Sequence, residues 1–249
     1  MESNPLWDIG QKYGKDGVKE AMVEVIQIDN NTWRIEDGFV RFFLLAGEKR
    51  AALVDSGISN SKVKELAISL TDLPLMLINT HGDGDHISGT GDFTEIYMSK
   101  EDYQGCDLCG RFPNTALVEL HDRDIIDLGG RTLEIIAIPG HTKGSVAIFD
   151  VEKRFLFAGD TVQSGHIFMF GPHRDPDKFE ESLQKLANEK NRYDKIIASH
   201  DEPILEANYV ERVLEAWREV QSGKVNYSDA DLHGMIVKSY DTKYCGFYL

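Results

Sequence analysis

Residues 81–86 place two imidazoles and two carboxylates within six positions of the sequence. They follow a largely apolar run at residues 75–80, which is typical of a buried strand. The two intervening glycines let the backbone curl, so that the four polar side chains can converge on one point. The four candidate ligands are His81, Asp83, Asp85 and His86. This donor set suits zinc, manganese or iron and predicts a metal site, with a polar turn that caps a helix as the alternative.

The composition is that of a globular protein. The chain has 249 residues, of which 41% are hydrophobic and 28% charged, enough for a substantial core. No apolar stretch has the length of a membrane span, and the first residues lack a signal-peptide pattern, so we expect a cytoplasmic protein. The formal net charge of −15 disfavours nucleic-acid binding, which depends on Lys and Arg neutralising phosphates. A small-molecule substrate is therefore expected, with no nucleic-acid or membrane partner.

The chain has three cysteines, Cys106, Cys109 and Cys245. An odd number argues against a disulfide framework. Cys106 and Cys109 have C-x-x-C spacing, for which a redox pair or part of a metal site is one interpretation. The sequence contains no second C-x-x-C, which favours two loop thiols instead.

Two β-rich halves, each followed by helices, are predicted along the chain. In the first half, strands are predicted at 22–29, 32–35, 40–46, 51–54 and 75–79, turns at 30–31 and 37–38, and a helix at 59–70 with Asn60 or Ser61 as N-cap. In the second half, strands are predicted at 131–138, 145–150, 154–158 and 195–198, and helices at 176–189 and 208–221. This order predicts an α/β fold with two sheets face to face and helices outside, in a single domain over residues 1–249.

The end of the chain is rich in aromatic residues. Residues 206–249 are interpreted as a C-terminal helix plus an aromatic tail that completes or covers the sandwich. The tail has two interpretations, a final strand or lid, and a surface that packs or forms a homodimer.

Three further candidate ligands lie just beyond strands of the second half. His141 follows the predicted strand at 131–138, Asp160 ends the strand run at 154–158, and His200 follows residues 195–198. Because such sites are usually assembled at strand ends, we expect these side chains to join the 81–86 segment at one edge of the sandwich.

These segments, in this order, resemble the metallo-β-lactamase-fold superfamily, and in particular its glyoxalase II-like metal-dependent hydrolases. The segments that carry the resemblance are an early strand and turn at 53–57, an H-x-H-x-D-H-like signature at 81–86, a PGHT-x-G-S segment at 139–145, a strand ending in a bridging aspartate at 157–161, and a closing histidine at 199–200. The resemblance implies an αββα four-layer sandwich with a dinuclear metal site along one edge.

The resemblance also implies a role for each candidate ligand. The implied ligands are His81, Asp83 and His141 at one metal, Asp85, His86 and His200 at the other, and Asp160 as a bridge between them. Asp55 is implied to support the ligand loop without touching metal, as outer partners of metal ligands do.

Asp83 departs from the family pattern, which usually has histidine there. In the usual arrangement two dications face two carboxylates and a hydroxide, a formal sum of about +1, and a third carboxylate lowers that sum to about zero. The bound water should then be less acidic, and a harder metal such as manganese or iron better accepted. We expect two divalent ions, zinc first, with manganese or iron as alternatives. Because the side chain of Asp83 is shorter than that of histidine, the alternative is that only the site of Asp85, His86 and His200 is filled.

The chemistry implied is hydrolysis by a metal-bound hydroxide, which attacks an ester, lactone, thioester or phosphodiester of a small molecule. Asp85 is the candidate catalytic residue, orienting the hydroxide and carrying its proton to the leaving group. Two alternatives stay open. One is a non-haem diiron oxidoreductase of the oxygen or nitric oxide reductase type with an external electron donor, since diiron relatives carry a carboxylate at the position of Asp83. The other is a metal-binding protein without turnover.

Residues 162–175 directly follow Asp160 and are predicted to overhang the site as a loop. The candidate substrate-pocket residues in this segment are His166, Phe168, Phe170 and His173. The alternative is that the loop aromatics fill their own core. A tyrosine that lactone-cleaving relatives carry near this point is missing, and the basic C-terminal domain of glyoxalase II relatives is not evident. His121 and His233 are given structural roles.

Overall fold

The computed structural model describes residues 23–59, 62–232 and 234–249, in which strands and helices follow one another along the chain. The predicted α/β class is confirmed. Three predictions lie outside the described residues, namely the strand start at Met22, the N-cap at Asn60 or Ser61, and the structural role of His233. The described residues form two compact units, with the boundary between Ile135 and Ile136. The single domain over residues 1–249 stays a prediction.

The first unit is built on a seven-stranded sheet whose strands lie in sequence order. The strands are β1 (Glu24–Asp29), β2 (Thr32–Asp37), β3 (Val40–Ala46), β4 (Ala51–Val54), β5 (Leu75–Ile78), β6 (Glu95–Met98) and β7 (Ala116–Glu119). Neighbours from β1 to β4 pair antiparallel, and neighbours from β4 to β7 pair parallel. The helices are α1 (Val63–Leu70), α2 (Gly84–Ile87), α3 (Lys100–Gly105) and α4 (Leu108–Arg111), with a 3₁₀ turn at Thr90–Asp92.

Strands β3 and β4 have the predicted bounds, and all four residues of β4 are buried. Strand β2 extends two residues further than predicted, so the following turn is at Gly38 and Phe39. Helix α1 starts at Val63 rather than at residue 59, because Lys62 has a left-handed backbone with φ of 51° and cannot belong to the helix. Val63 and Ala67 bury the inner face of α1 in the core of this unit.

A second sheet has the strand order β14-β13-β11-β10-β9-β8. Its strands are β8 (Ile125–Asp127), β9 (Thr132–Ala137), β10 (Val146–Asp150), β11 (Phe155–Phe157), β13 (Lys195–Ile197) and β14 (Ile204–Glu206), and the boundary between the units falls within β9. The second unit also contains β12 (His166–Phe168), α5 (Pro176–Asn188), a 3₁₀ turn at Lys190–Arg192 and α6 (Tyr209–Gln221). The helices predicted at 176–189 and 208–221 are confirmed to within one residue.

The aromatic tail forms strands, as the first of its two interpretations stated. A four-stranded sheet of order β12-β17-β16-β15 contains β15 (Tyr227–Leu232), β16 (Met235–Asp241) and β17 (Gly246–Tyr248). The expectation of a loop throughout residues 162–175 was wrong over His166–Phe168, which pair in parallel with β17. Three residues are too few for a period to be recognised, and Ile167, fully buried in the core, fixes this strand in place.

Three aromatic rings form the centre of the core of the second unit. Phe179 of α5 lies edge-on to Trp217 of α6 at 5.0 Å between ring centroids, and Phe247 of β17 lies 5.1 Å from Trp217. These contacts join both helices to the C-terminal sheet. Within the described part of the chain, no helix has the length and apolar character needed to cross a membrane.

Truncating Phe179 to alanine should lower the free energy of unfolding by about 3–5 kcal/mol, because the side chain is fully buried and its removal leaves a cavity. Phe39→Ala is the matched control, since Phe39 is 57% exposed, and it should cost less than about 0.5 kcal/mol. Urea unfolding followed by tryptophan fluorescence measures both. Equal losses in the two variants would contradict the packing described.

Candidate metal centre

The polar residues of the first unit converge because two neighbouring strands are parallel. Strand β4 pairs with β5 in the register Val54↔Ile78, so both strands end at the same edge of the sheet. Asp55 follows β4 directly, and the backbone N–H of Asp55 donates to the carbonyl of Ile78 at 2.8 Å. The 81–86 segment begins just beyond the end of β5. The pairing therefore places Asp55 beside a segment far from it in sequence.

The Asp55 carboxylate is fully buried and is the acceptor for three groups. Its Oδ1 accepts from the backbone N–H of Thr80 at 2.7 Å, and its Oδ2 accepts from the Thr80 hydroxyl at 2.8 Å. Oδ2 also lies 2.9 Å from Nδ1 of His86. Asp55 has a φ of 64°, in the left-handed region where residues other than glycine are uncommon. The backbone is held there by contacts that aim the carboxylate at these donors.

These contacts determine the tautomers of both histidines. A carboxylate only accepts hydrogen bonds, so this contact requires a proton on Nδ1 of His86, and in the neutral ring Nε2 then keeps its lone pair. The single hydroxyl hydrogen of Thr80 is donated to Asp55. Thr80 Oγ1 must then accept from Nδ1 of His81, 2.9 Å away, which leaves Nε2 of His81 with its lone pair. Both histidines thus offer Nε2 to a metal, the arrangement that carboxylate partners of metal-bound histidines enforce.

The four candidate ligands of the first unit lie together. Nε2 of His81 is 3.8 Å from Oδ2 of Asp83, and Nε2 of His86 is 3.7 Å from Oδ2 of Asp85. The centroids of the two imidazole rings are 4.1 Å apart. We call His81, Asp83, Asp85 and His86 the first half-site.

The alternative interpretation of this segment was a turn that caps a helix, and the structure agrees with it in the position of Asp83 but not in the hydrogen bonding of its side chain. Asp83 does stand at the N-cap position of α2, with φ of −70° and ψ of 149°. Its side chain makes no capping hydrogen bond, however, and one carboxylate oxygen is directed toward the ring of His81 instead. The carboxylate therefore does not cap α2, and its role as a metal ligand stays a prediction.

Several residues that support the first half-site were missed by sequence reasoning. The hydroxyl of Ser56 and the side-chain N–H of Asn79 donate to the carbonyl of His86 at 3.1 and 2.7 Å. The backbone N–H of Gly82 donates to Oδ2 of Asp102, in α3, at 2.8 Å. Small polar residues at the strand ends are a weak signal for such roles, and Asp102, 20 positions from Gly82, gives no local signal at all.

In the second unit, a parallel strand pair again assembles the polar residues. Strands β11 and β13 pair in parallel, and Asp160 and His200 follow their respective ends. Oδ1 of Asp160 is 3.3 Å from Nε2 of His200, and Oδ2 is 3.7 Å from Nε2 of His141. We call His141, Asp160 and His200 the second half-site. Each oxygen of Asp160 faces a different imidazole, an arrangement that is compatible with a bridging carboxylate.

His141 is held in place by contacts of helix α5. Gly140 has a φ of 144°, and a Cβ at this position would lie 2.3 Å from Cα of Phe179, so glycine is required for the close approach. The hydroxyl of Ser182 donates to the carbonyl of Pro139 at 2.7 Å. The turn after His141 is closed by the backbone N–H of Thr142, which donates to the hydroxyl of Ser145 at 3.0 Å.

The pocket candidates at residues 166–173 form contacts within the second unit. The ring of His166 stacks on Tyr248 at 4.4 Å, and Nε2 of His166 lies 3.0 Å from Oδ1 of Asp241. Phe168 lies edge-on to Tyr248 at 5.0 Å and 5.8 Å from Phe170. Met169 is buried in the core, as the core-filling alternative stated. A pocket role for His166, Phe168, Phe170 and His173 stays a prediction.

The donor atoms of both half-sites fit divalent transition metals. The candidate ligands are imidazole nitrogens and carboxylate oxygens, the combination that suits zinc, manganese and iron. Apart from Asp85 and His200, which are partly exposed, these residues are buried. Burial of carboxylates on this scale is costly unless a cation or hydrogen bonds compensate their charge.

Residues 35–200 match the sequence pattern of the metallo-β-lactamase superfamily. The chain belongs to this superfamily. It is 33% identical over 138 residues to a hydroxyacylglutathione hydrolase of Nostoc punctiforme, which covers 53% of this chain and 52% of the relative. A hydroxyacylglutathione hydrolase of a Synechococcus strain is 29% identical over 131 residues, 53% of this chain and 51% of the relative. The chain thus spans about half the length of these metallo-β-lactamase superfamily relatives.

Solved structures of the superfamily show the fold. A metallo-β-lactamase from Pontibacter korlensis matches with a TM-score of 0.67 at 18% identity, over 79% of this chain and 99% of the neighbour. The predicted metallo-β-lactamase fold is confirmed.

Replacing Thr80 by valine should weaken metal binding by about 10–100-fold, the usual effect of losing an outer partner of a metal ligand. Valine keeps the shape of the side chain but cannot accept from Nδ1 of His81. Thr90→Val is the matched control, because Thr90 is also fully buried and its hydroxyl has no hydrogen-bond partner among the described residues. Zinc affinity is measured by competition with a chromophoric chelator. Similar affinities of the two variants would contradict the tautomer assignment.

Proposed function

We propose that this protein is a metal-dependent hydrolase of small molecules, and that the two half-sites together hold two divalent cations. The observation that carries the proposal is the contact of Nδ1 of His86 with Asp55 and of Nδ1 of His81 with Thr80, which leaves Nε2 of each ring as the nitrogen that can bind a metal. Membership of the metallo-β-lactamase superfamily supports it independently.

The proposed ligand sets draw on both half-sites, as the family resemblance implies. They are His81, Asp83 and His141 for one cation, Asp85, His86 and His200 for the other, and Asp160 for both. Asp160 is suited to bridging because its two oxygens lie 3.3 and 3.7 Å from different imidazoles. Zinc is the metal proposed first, and three carboxylates in the set also accept manganese or iron.

A pair of bound cations would polarise the electrophilic carbon and supply an activated water as nucleophile at neutral pH. The chain itself contributes the proton acceptor. Asp85 is the most exposed member of the first half-site, with 21% of its side chain accessible, and its Oδ2 lies 3.7 Å from Nε2 of His86. This exposure and position support Asp85 as the residue that orients the water, takes up its proton and returns that proton to the leaving group.

An acyl thioester is the substrate class that we propose first. The relatives from Nostoc and Synechococcus are named hydroxyacylglutathione hydrolases, but each is matched over only about half its length. In this chain β12, which lies between Asp160 and His200 in sequence, forms a four-stranded sheet with β15, β16 and β17, which come after His200. Substrate recognition is accordingly assigned to that sheet and its loops, with Phe168 and Phe170 as the apolar contacts.

The diiron alternative is favoured by one observation, the carboxylate of Asp83 beside His81. Metal analysis of protein purified without added metal separates the two proposals. Two equivalents of zinc or manganese with ester or thioester cleavage support the hydrolase. Iron, together with consumption of oxygen or nitric oxide in the presence of an electron donor, supports the oxidoreductase.

Asp85→Asn should lower kcat by about 10²–10⁴-fold through loss of the proton acceptor. The loss should be larger for an oxygen ester than for the thioester of the same acyl group, because a thiolate leaves without a proton far more readily than an alkoxide does. Comparing the two substrates on one preparation cancels any change in metal content. Asp92→Asn, on an exposed 3₁₀ turn, serves as control. Equal losses on both substrates would contradict the proton-transfer role.

Asp83→His should shift metal preference from manganese toward zinc by about tenfold or more, since imidazole is the softer ligand. Competition titrations of both metals against a chelator measure the change, with Asp92→His as control. An unchanged ratio of zinc to manganese affinity would remove Asp83 from the proposed ligand set.

A further inference from the structure

The thiols of Cys106 and Cys109 are not used by the proposed hydrolysis. One of them, Cys106, packs against residues 81–86, which we call the ligand loop. Cys106 stands at the C-cap of α3 and is half-buried, and Cys109 lies in α4 and is exposed. Neither cysteine forms a disulfide. They are three residues apart, the spacing of disulfide-exchanging pairs.

The sulfur of Cys106 lies against the backbone of the ligand loop. A Cβ built on Gly82 would be 2.6 Å from Sγ of Cys106, so the sulfur occupies the space that any side chain at position 82 would need. Gly82 is the residue between His81 and Asp83, two of the proposed ligands. Any atom bonded to this sulfur on the loop side would therefore displace the backbone that carries both ligands.

The same helix also anchors the loop by a hydrogen bond. Asp102 is four positions before Cys106 in the sequence, and its buried carboxylate accepts from the N–H of Gly82 at 2.8 Å. Asp102 and Cys106 thus lie on the same face of α3 and its C-cap. Asp102 accepts the hydrogen bond of Gly82, and the sulfur of Cys106 fills the space next to Gly82. This hydrogen bond holds the backbone of Gly82 against α3. A larger group between Cys106 and Gly82 would therefore have to break the hydrogen bond or move the backbone that carries His81 and Asp83.

A positive charge lies near the thiol. Burial lowers the pKa of the Arg111 guanidinium to about 10, while the negative charges of Cys106 and Asp107 act in the opposite direction. Arg111 and Cys106 are therefore close enough to interact electrostatically. Cys245 is the contrasting case, since it is 5% exposed and burial raises the pKa of its thiol to about 12.

We propose that Cys106 is a modification site for low-molecular-weight disulfides, and that its modification loosens the His81 and Asp83 ligand loop. The effect on the metal rests on the proposed function, whereas the modification of the thiol does not.

The exchange balances without a further reagent. The Cys106 thiolate attacks one sulfur of the small disulfide, a bond forms between the two sulfurs, and the other half leaves as a thiolate that takes up the proton lost by Cys106. Cys109 can then attack the Sγ of Cys106 in this mixed disulfide, forming a Cys106–Cys109 bond and releasing the second small thiol. Two protein thiols are oxidised and one small disulfide is reduced to two thiols. In the proposal, the sulfur of Cys106 leaves its place against Gly82 when this second bond forms.

The test treats zinc-loaded protein with glutathione disulfide and follows protein mass, peptide mapping and zinc release to a chromophoric chelator. Wild type should be modified at Cys106 and release zinc at least tenfold faster than Cys106→Ser. Cys109→Ser should accumulate the mixed disulfide and release zinc as well, and dithiothreitol should reverse both changes. Cys245 is the internal control and should stay unmodified.

Zinc release at equal rates from wild type and Cys106→Ser would overturn the proposal, as would modification confined to Cys109. Hydrogen exchange of residues 80–88 provides a readout that needs no metal. The Gly82 amide should exchange faster after modification of wild type but not of Cys106→Ser. If the protein binds no metal but this exchange difference appears, the proposed function fails and the thiol site stands. If the amide is unaffected, the thiol site fails.

Discussion

The buried carboxylate of Asp55 is the interaction on which the rest of the site depends. It accepts hydrogen bonds from Thr80 and His86, and through the Thr80 hydroxyl it also determines the protonation of His81. One acceptor-only group thus sets the direction of two imidazoles. The cost of burying it is offset by these donors, and its left-handed backbone is maintained by the pairing of β4 with β5. Without this carboxylate, the proton on Nδ1 of His86 would lose this acceptor, and the neutral tautomer with the proton on Nε2 would become accessible.

The same arrangement of strands positions the polar residues of both half-sites. In each unit, two parallel neighbouring strands end at one edge of a sheet, and the residues just beyond those ends carry the polar groups. A helix contacts each loop. Asp102 of α3 accepts a hydrogen bond from the backbone of Gly82, and Phe179 of α5 packs closely against Gly140. The close approach at the two glycines makes the positions of the ligand loops sensitive to what packs against them. This sensitivity is the physical reason for our proposal that modification of the Cys106 thiol affects metal binding.

Asp83 shows how one departure from the family pattern is accommodated. It stands at the start of α2 without capping it, and its carboxylate is directed toward His81. A third carboxylate reduces the formal charge of a two-cation site by one, which favours harder metals and lowers the acidity of bound water. The metal preference of this protein is therefore the property in which it should differ most from superfamily members with histidine at this position.

The sequence by itself determined the α/β class, the family, the longer strands and helices, and the identity of the candidate ligands, because these depend on local periodicity and short motifs. Only the tertiary structure decided that His86 meets Asp55, 31 positions away, and that Gly82 rests on Asp102 and Cys106. It also decided that the tail forms a sheet with residues 166–168. Such contacts join distant parts of the chain through strand register and close packing, and neither leaves a periodic pattern in the sequence.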